Sequence, residues 1–238
     1  TWVYFSRVAT DGTPSGKRKR LALRKPIRDR PVGDVELACL AGSCMFAWRQ
    51  DRRLHFVRVV GDRPDYHHGR DFNFSTPCSV DDVVAGSDGY LVIGRSVDSC
   101  QPGGVNCVRG VRGVRIDATG TAIDANGIAL TSGALASSGL FRDDVLGGFD
   151  GTNYLVAFGP RITANRPATP LFLARLAPDG TVREPEYEGG LVLANPTAGR
   201  AAVTAINGAP LVVWRDARDT GKPNGPAFSS VYAQLIAP

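Results

Sequence analysis

The stretch from residue 143 to 158, Asp-Asp-Val-Leu-Gly-Gly-Phe-Asp-Gly-Thr-Asn-Tyr-Leu-Val-Ala-Phe, constrains the fold more than any other. An apolar run, the pair Asp150-Gly151 and a second apolar run ending in an aromatic residue predict a β-hairpin. The turn needs positive φ, and glycine takes it at no steric cost. Variants return at residues 34–48, 81–94 and 201–214, closing on Trp48, Gly94 and Trp214. Small residues (Ala38, Ala85, Gly147 and Ala205) fall in the first strand of each hairpin.

Between the hairpins runs a strand that carries arginine and ends at a turn. It contains Arg7, Arg58, Arg115 and Arg175, with Gln234 at the same place near the end of the chain. These positions are roughly 50 to 60 residues apart, within reach of propeller repeat lengths. A short fourth run follows each arginine strand: residues 21–23, 72–74, 127–130 and 190–193. Four short antiparallel strands, repeated in order, predict an all-β chain folded as a β-propeller of four-stranded antiparallel blades. One such blade cannot cover its own two faces, so blades stack, and Trp48, Phe158 and Trp214 are expected to fill the space between them. A β-sandwich would not need the four-part pattern to recur.

Four hairpins stand beside five arginine-type strands. The expectation is therefore four to five blades, closed by the two termini or forming an arc of a larger assembly. The units are residues 1–52, 53–107, 108–170 and 171–230, with a terminal strand at 231–238. Together they form one repeat domain. The 28 Gly and 16 Pro lie at the ends of short apolar runs, as turn punctuation should. No apolar run of about 18 residues is present to span a membrane. The opening Thr1-Trp-Val-Tyr-Phe5 has neither the basic start nor the cleavage site of a signal peptide.

Cys39 and Cys44 flank a turn, and Cys100 and Cys107 close a Gly/Pro loop. Both spacings suit local disulfides, which favour an extracytoplasmic compartment. Zinc is the rival reading, although neither pair is a CxxC and the three histidines lack ligand spacing. Cys78 is left over: buried, free or paired with another chain. The formal charge of +5 is concentrated at residues 17–30, where Lys17, Arg18, Lys19, Arg20, Arg24, Lys25, Arg28 and Arg30 face one acid, Asp29. Lys17 to Arg20, Arg24 and Lys25 are the candidate ligand-binding residues, because such a run attracts polyanions by releasing their counterions. The alternative is a solvated outer strand whose charges keep a sheet edge from pairing.

The pattern D-G-x-x-Y-L-V-x-aromatic at 150–158, followed by Arg175-Leu-Ala-Pro-Asp-Gly180, resembles a degenerate propeller-like repeat. That repeat is found in large secreted or surface proteins of bacteria, often beside adhesive or cell-wall modules. The resemblance covers nearly the whole chain. It implies an extracellular or cell-surface location and carries no signature catalytic residues. The second unit departs most, with Gly94 in place of the aromatic.

Chemistry is sparse. Asp81-Asp82 and Asp143-Asp144, with Asp34, precede inner strands and suggest a ring of carboxylates, or turn residues bonding to nearby amides. The sialidase box S-x-D-x-G-x-x-W is absent. Residues 117–126 carry oxygen ligands without EF-hand spacing, so a turn is expected there. The adjacent histidines of Asp65-Tyr-His-His68 would point to opposite faces of a strand. No metal or cofactor is expected. The first function expected is a non-enzymatic binding or structural module, presenting its basic edge to an acidic polysaccharide or to another surface protein. No specific nucleic acid partner is expected. A carbohydrate-active propeller enzyme using Asp82 and Asp144 is the alternative. A third reading is a subunit of a surface assembly.

Overall fold

The computed structural model describes residues 3–9, 11, 13–21, 35–50, 53–65, 71–72, 77–99, 108–124, 126–131, 141–160, 171–183, 191–194, 198–216 and 230–236. The chain is a β-propeller built of antiparallel blades. Blade 1 comprises β3 (Val35–Leu40), β4 (Ser43–Gln50) and β5 (Arg53–Val60). Its fourth strand is broken into β6 (Arg63–Asp65) and β7 (Asp71–Phe72), both paired to β5. Blade 2 runs β8 (Pro77–Ala85), β9 (Gly89–Ser99), β10 (Val108–Asp117) and β11 (Ile128–Ala129). Blade 3 runs β12 (Phe141–Phe149), β13 (Tyr154–Pro160), β14 (Leu171–Leu176) and β15 (Leu191–Ala194). Blade 4 has three described strands, β16 (Ala198–Ile206), β17 (Ala209–Asp216) and β18 (Ser230–Leu235). Ahead of blade 1 lies a two-stranded sheet of β1 (Val3–Val8) and β2 (Pro14–Leu21). Among the described residues no helix is long and apolar enough to cross a membrane.

First strands contact one another in sequence, β3 with β8, β8 with β12 and β12 with β16, and so form the inner wall. The second strands are buried on both faces. In β13, Tyr154, Val156 and Phe158 pack toward blade 2, while Leu155 and Ala157 pack toward blade 4. In β9, Tyr90 and Val92 face blade 1, and Leu91 and Ile93 face blade 3. The period of two in a strand sends successive side chains to opposite cores. Trp48, Phe158 and Trp214 lie in these inter-blade cores, as expected.

The hairpin turn of blade 3 is longer than a two-residue Asp-Gly turn. Asp150 Oδ1 accepts from the amides of Thr152 (2.8 Å) and Asn153 (2.6 Å), and only Gly151 takes positive φ, at 95°. The carboxylate supplies the acceptor that a wider loop would otherwise lack. Tyrosines then tie blades together. The Tyr90 hydroxyl lies 2.8 Å from Ser43 Oγ in the blade 1 turn, and the Tyr154 ring lies against Gly86 in the blade 2 turn. Burial pushes the Tyr154 phenol up to about 12, with the nearby Asp88 charge adding to that and Arg115 opposing it.

The arginine strands make a second tie. Arg115 binds Asp124 of its own blade at 2.7 and 2.9 Å and donates to the Pro178 carbonyl in the next blade. The acids of residues 117–126 are thereby accounted for: Asp124 pairs with Arg115, and Asp117 accepts from the amides of Thr119 and Thr121. This is turn chemistry, as expected.

Candidate functional site

The inner wall carries the chemistry worth weighing, because there the first strands of successive blades lie against one another. Gly94 lies in the middle of β9, at the register position where the other hairpins have an aromatic residue, and β8 crosses it so closely that a Cβ there would sit 2.5 Å from the Ser79 carbonyl oxygen. The ladder slips between Val80 and Asp82, so Val80 faces Gly94, Asp82 faces Ile93 and Asp81 is the extra residue. Bulges of this kind re-aim side chains. Here Asp81 turns to its own sheet and Asp82 turns toward blade 3.

Asp81 meets Arg95 at 2.5 and 3.0 Å and accepts from Ser79 Oγ at 2.8 Å. Asp82 Oδ1 accepts from the Val83 amide at 2.8 Å, and Oδ2 accepts from the Gly147 amide at 2.6 Å across the blade gap. Burial pushes the Asp82 carboxyl above the ordinary carboxylate range; the two amides oppose this and the Asp81 charge adds a lesser push.

The register corrects the expectation that the aspartate doublets are equivalent. Trp48, Gly94, Phe158 and Trp214 face Val35, Val80, Val145 and Ala201. One step further along the partner strands, Ala47, Ile93, Ala157 and Val213 face Glu36, Asp82, Leu146 and Ala202. Asp143 and Asp144 lie before that row, and the counterpart of Asp82 is Glu36, which reading the sequence missed. The bulge at Asp81 hid it, since an inserted residue has no signature in a run of apolar and acidic side chains. The side chains of Asp143 and Asp144, and the whole of Asp34, lie outside the described residues.

The basic run folds onto β2, the strand expected to be outermost. Lys17 and Arg18 are exposed, Arg18 lies 4.7 Å over the Tyr4 ring, and Lys19 forms an ion pair with Asp62 of blade 1. The Arg20 side chain and all of Arg24 and Lys25 lie outside the described residues. Cys39 and Cys44 are joined in a disulfide across β3 and β4. Cys100, Cys107, His67 and His68 lie outside the described residues, as does the Cys78 side chain. Among the described residues no group of three or more His, Cys, Asp or Glu is placed to hold a metal ion.

The native protein holds the Asp82 proton more tightly than the unfolded chain does. Its contribution is fully present below the ordinary value of 3.8 and is lost as pH rises through the raised native value. Urea unfolding of the wild type and Asp82→Asn, compared from about pH 3.5 to about pH 7.5, is expected to show the wild type losing ground to the variant as pH rises. A difference that stays constant with pH would mean an unshifted carboxyl.

No family model matches the chain, and no curated protein matches it. Solved structures give loose likenesses. An α-L-arabinanase from Cellvibrio cellulosa, complexed with arabinohexaose, is 9% identical over 84% of this chain and 72% of its own, with a TM-score of 0.38. A GH43_1 enzyme from Xanthomonas citri is 12% identical over 99% and 78%, with a TM-score of 0.37. TcdA4 of Morganella morganii is 10% identical over 80% of this chain and 11% of its own, also at 0.37. Overlaps of this quality transfer no site residues. The expectation of a chain without enzymatic activity is nonetheless corrected, since the structures it is similar to include the arabinanase and the GH43_1 enzyme. What the chain itself establishes is an all-β propeller of four-stranded antiparallel blades, with acids at one inner-wall register position in blades 1 and 2 only, Glu36 and Asp82.

Proposed function

We propose that the chain is a carbohydrate-active propeller of the glycoside hydrolase type, acting at the inner wall of blades 1 and 2. One observation carries the reading: Glu36 and Asp82 occupy the same register position on contacting inner strands, and Asp82 is half-buried with its carboxyl shifted toward the protonated form. Glycosidic bonds are cleaved by a pair of carboxyl groups. One gives a proton to the leaving oxygen and the other assists attack at the anomeric carbon. Asp82 is suited to the first role, because its surroundings favour the protonated state; Glu36 takes the second. Asp144, the acid expected beside Asp82, is not at the matching position.

An acidic polysaccharide fits the exposed Lys17 and Arg18, which would hold it by charge; Lys19 is paired with Asp62, and Arg20, Arg24 and Lys25 are in the same basic run of the sequence. The Cys39–Cys44 disulfide supports a location outside the cytoplasm, consistent with the repeat of secreted or surface proteins that the sequence resembles.

The test is release of reducing ends from a panel of neutral and acidic polysaccharides, arabinan among them, by wild type, Asp82→Asn and Glu36→Gln. Wild-type turnover is expected, falling by roughly 100-fold or more in each variant while far-ultraviolet dichroism is retained. Turnover on no member of the panel, or turnover unchanged in both variants, overturns the proposal.

A further inference from the structure

The inner strand of blade 2 carries two adjacent acids, and the fold treats them differently. Val80 and Val83 both enter the core shared with blade 1, although they are three residues apart. A regular strand returns to the same face every second residue, so this spacing needs the extra residue Asp81. Asp82 and Val84 then share the opposite face. Val84 joins the core with Val156 and Phe158 of blade 3, and Asp82 reaches the Gly147 amide. Without the extra residue, Val80 or Val83 would leave its core and another side chain would stand in the place of Asp82.

A closed set of hydrogen bonds holds the extra residue. Arg95 Nε donates to Asp81 Oδ2 at 3.0 Å, and Arg95 Nη2 donates to Oδ1. The same Nε lies 2.9 Å from Ser79 Oγ, whose hydroxyl donates to Asp81 Oδ2 at 2.8 Å. The Arg95 and Asp81 side chains are 20% and 7% exposed. Taking two charges so far out of water costs about as much as their attraction returns, so such a pair is a poor source of stability. Its best-attested use is to select one register among close alternatives. Arginine suits that use, because its planar fork fixes both oxygens of a carboxylate at once.

We propose that Arg95 is the positioning residue of the inner-wall acid: its fork on Asp81 fixes the bulge in β8 and so delivers Asp82 to the Gly147 amide. β12 is the edge strand of its sheet, and an amide turned away from β13 has no strand to bond. The Asp82 carboxylate supplies that acceptor. Arg95 acts on this bond through Asp81 and the backbone of β8. Its consequence for turnover rests on the glycoside hydrolase reading; its effect on the Gly147 bond does not.

The Gly147 amide is the probe, followed in the full chain by proton–nitrogen correlation spectra and hydrogen exchange. In the wild type its chemical shift is expected to titrate with the Asp82 carboxyl, and Asp82→Asn assigns that movement by abolishing it. Arg95→Gln is expected to lose the movement and to exchange the Gly147 amide roughly tenfold faster or more. The Val212 and Val213 amides, in the central strand of blade 4, are expected to keep their wild-type rates. Arg95→Lys is expected to behave as Arg95→Gln does, because an ammonium is a point charge without the fork. A merely structural loss would quicken exchange in all blades together and leave the Gly147 titration in place. Where Arg95→Gln does not fold, Ser79→Ala removes one arm of the network and is expected to quicken Gly147 exchange about threefold. An unchanged Gly147 amide in Arg95→Gln, or in Ser79→Ala where that variant stands in, overturns the proposal. So does quickening of Val212 and Val213 in step with Gly147, and so does full rescue by Arg95→Lys, since charge alone would then suffice. No substrate enters the readout: absence of turnover on every polysaccharide leaves the role of Arg95 standing, and turnover with an unmoved Gly147 amide removes it.

Discussion

Phe158→Ala is expected to unfold at a temperature roughly 12 °C below wild type, from a loss of about 4 kcal/mol at 2–4 °C per kcal/mol for a chain of this size. The ring is fully buried at the end of β13, stacked on Phe172 with centroids 5.6 Å apart, and its core is shared with blade 2 through Leu91, Ile93 and Val111. The loss combines transfer of the ring to water with the cavity left behind, and stiff strands on both sides keep the site from collapsing. Differential scanning calorimetry reads the result directly. A shift below about 4 °C would mean that blades 2 and 3 are not held by this contact.

Gly147→Val is expected to cost about 3 kcal/mol, the upper end for overpacking a well-filled core. A Cβ at this position would run into the Val84 side chain and come within 2.6 Å of Ile93 Cδ1, both on blade 2. Valine suits a strand better than glycine by roughly 1 kcal/mol, but that gain is the smaller quantity. The substitution also pushes apart the blades that the Asp82–Gly147 bond joins; burial is the larger cause of the Asp82 shift, so its relief should bring the carboxyl back toward its ordinary value despite loss of the opposing Gly147 amide. Urea denaturation gives the first quantity, and repeating it at several pH values gives the second. Wild-type stability in Gly147→Val would mean that β12 sits farther from blade 2 than the 2.6 Å Asp82–Gly147 bond implies.

Much of this architecture was legible in the residues. The unbroken apolar run Tyr154-Leu-Val-Ala-Phe158 and its relatives fit strands buried on both faces, and the recurrence of the arginine strand at a fixed place in each unit announced blades. The glycine at 147 could be seen to mark crowding near the axis. Long-range consequences were less visible. That Arg115 would reach Pro178 in the next blade follows from stacking, and composition does not reveal the carbonyl it finds. The inner-wall acids were misaligned by one inserted residue. Asp81 and Asp143 look alike beside their valines, yet only the slip between Val80 and Asp82 decides which acid faces the neighbouring blade, and it pointed to Glu36 instead of Asp144. A bulge is a property of two strands at once, so no single stretch of chain declares it.

Each junction between blades is made by the same register positions: the even face of one second strand against the odd face of the next. In evolutionary terms this makes the unit transferable. A duplicated stretch encoding one unit arrives with both of its faces already matched to existing neighbours, so gene length can change by whole units without inventing a contact. The Cys39–Cys44 position marks where that freedom has been used differently. Blades 2 and 3 place tyrosine where Cys44 stands, so at the position where they carry a phenolic tie to the preceding blade, blade 1 carries a covalent bond within itself.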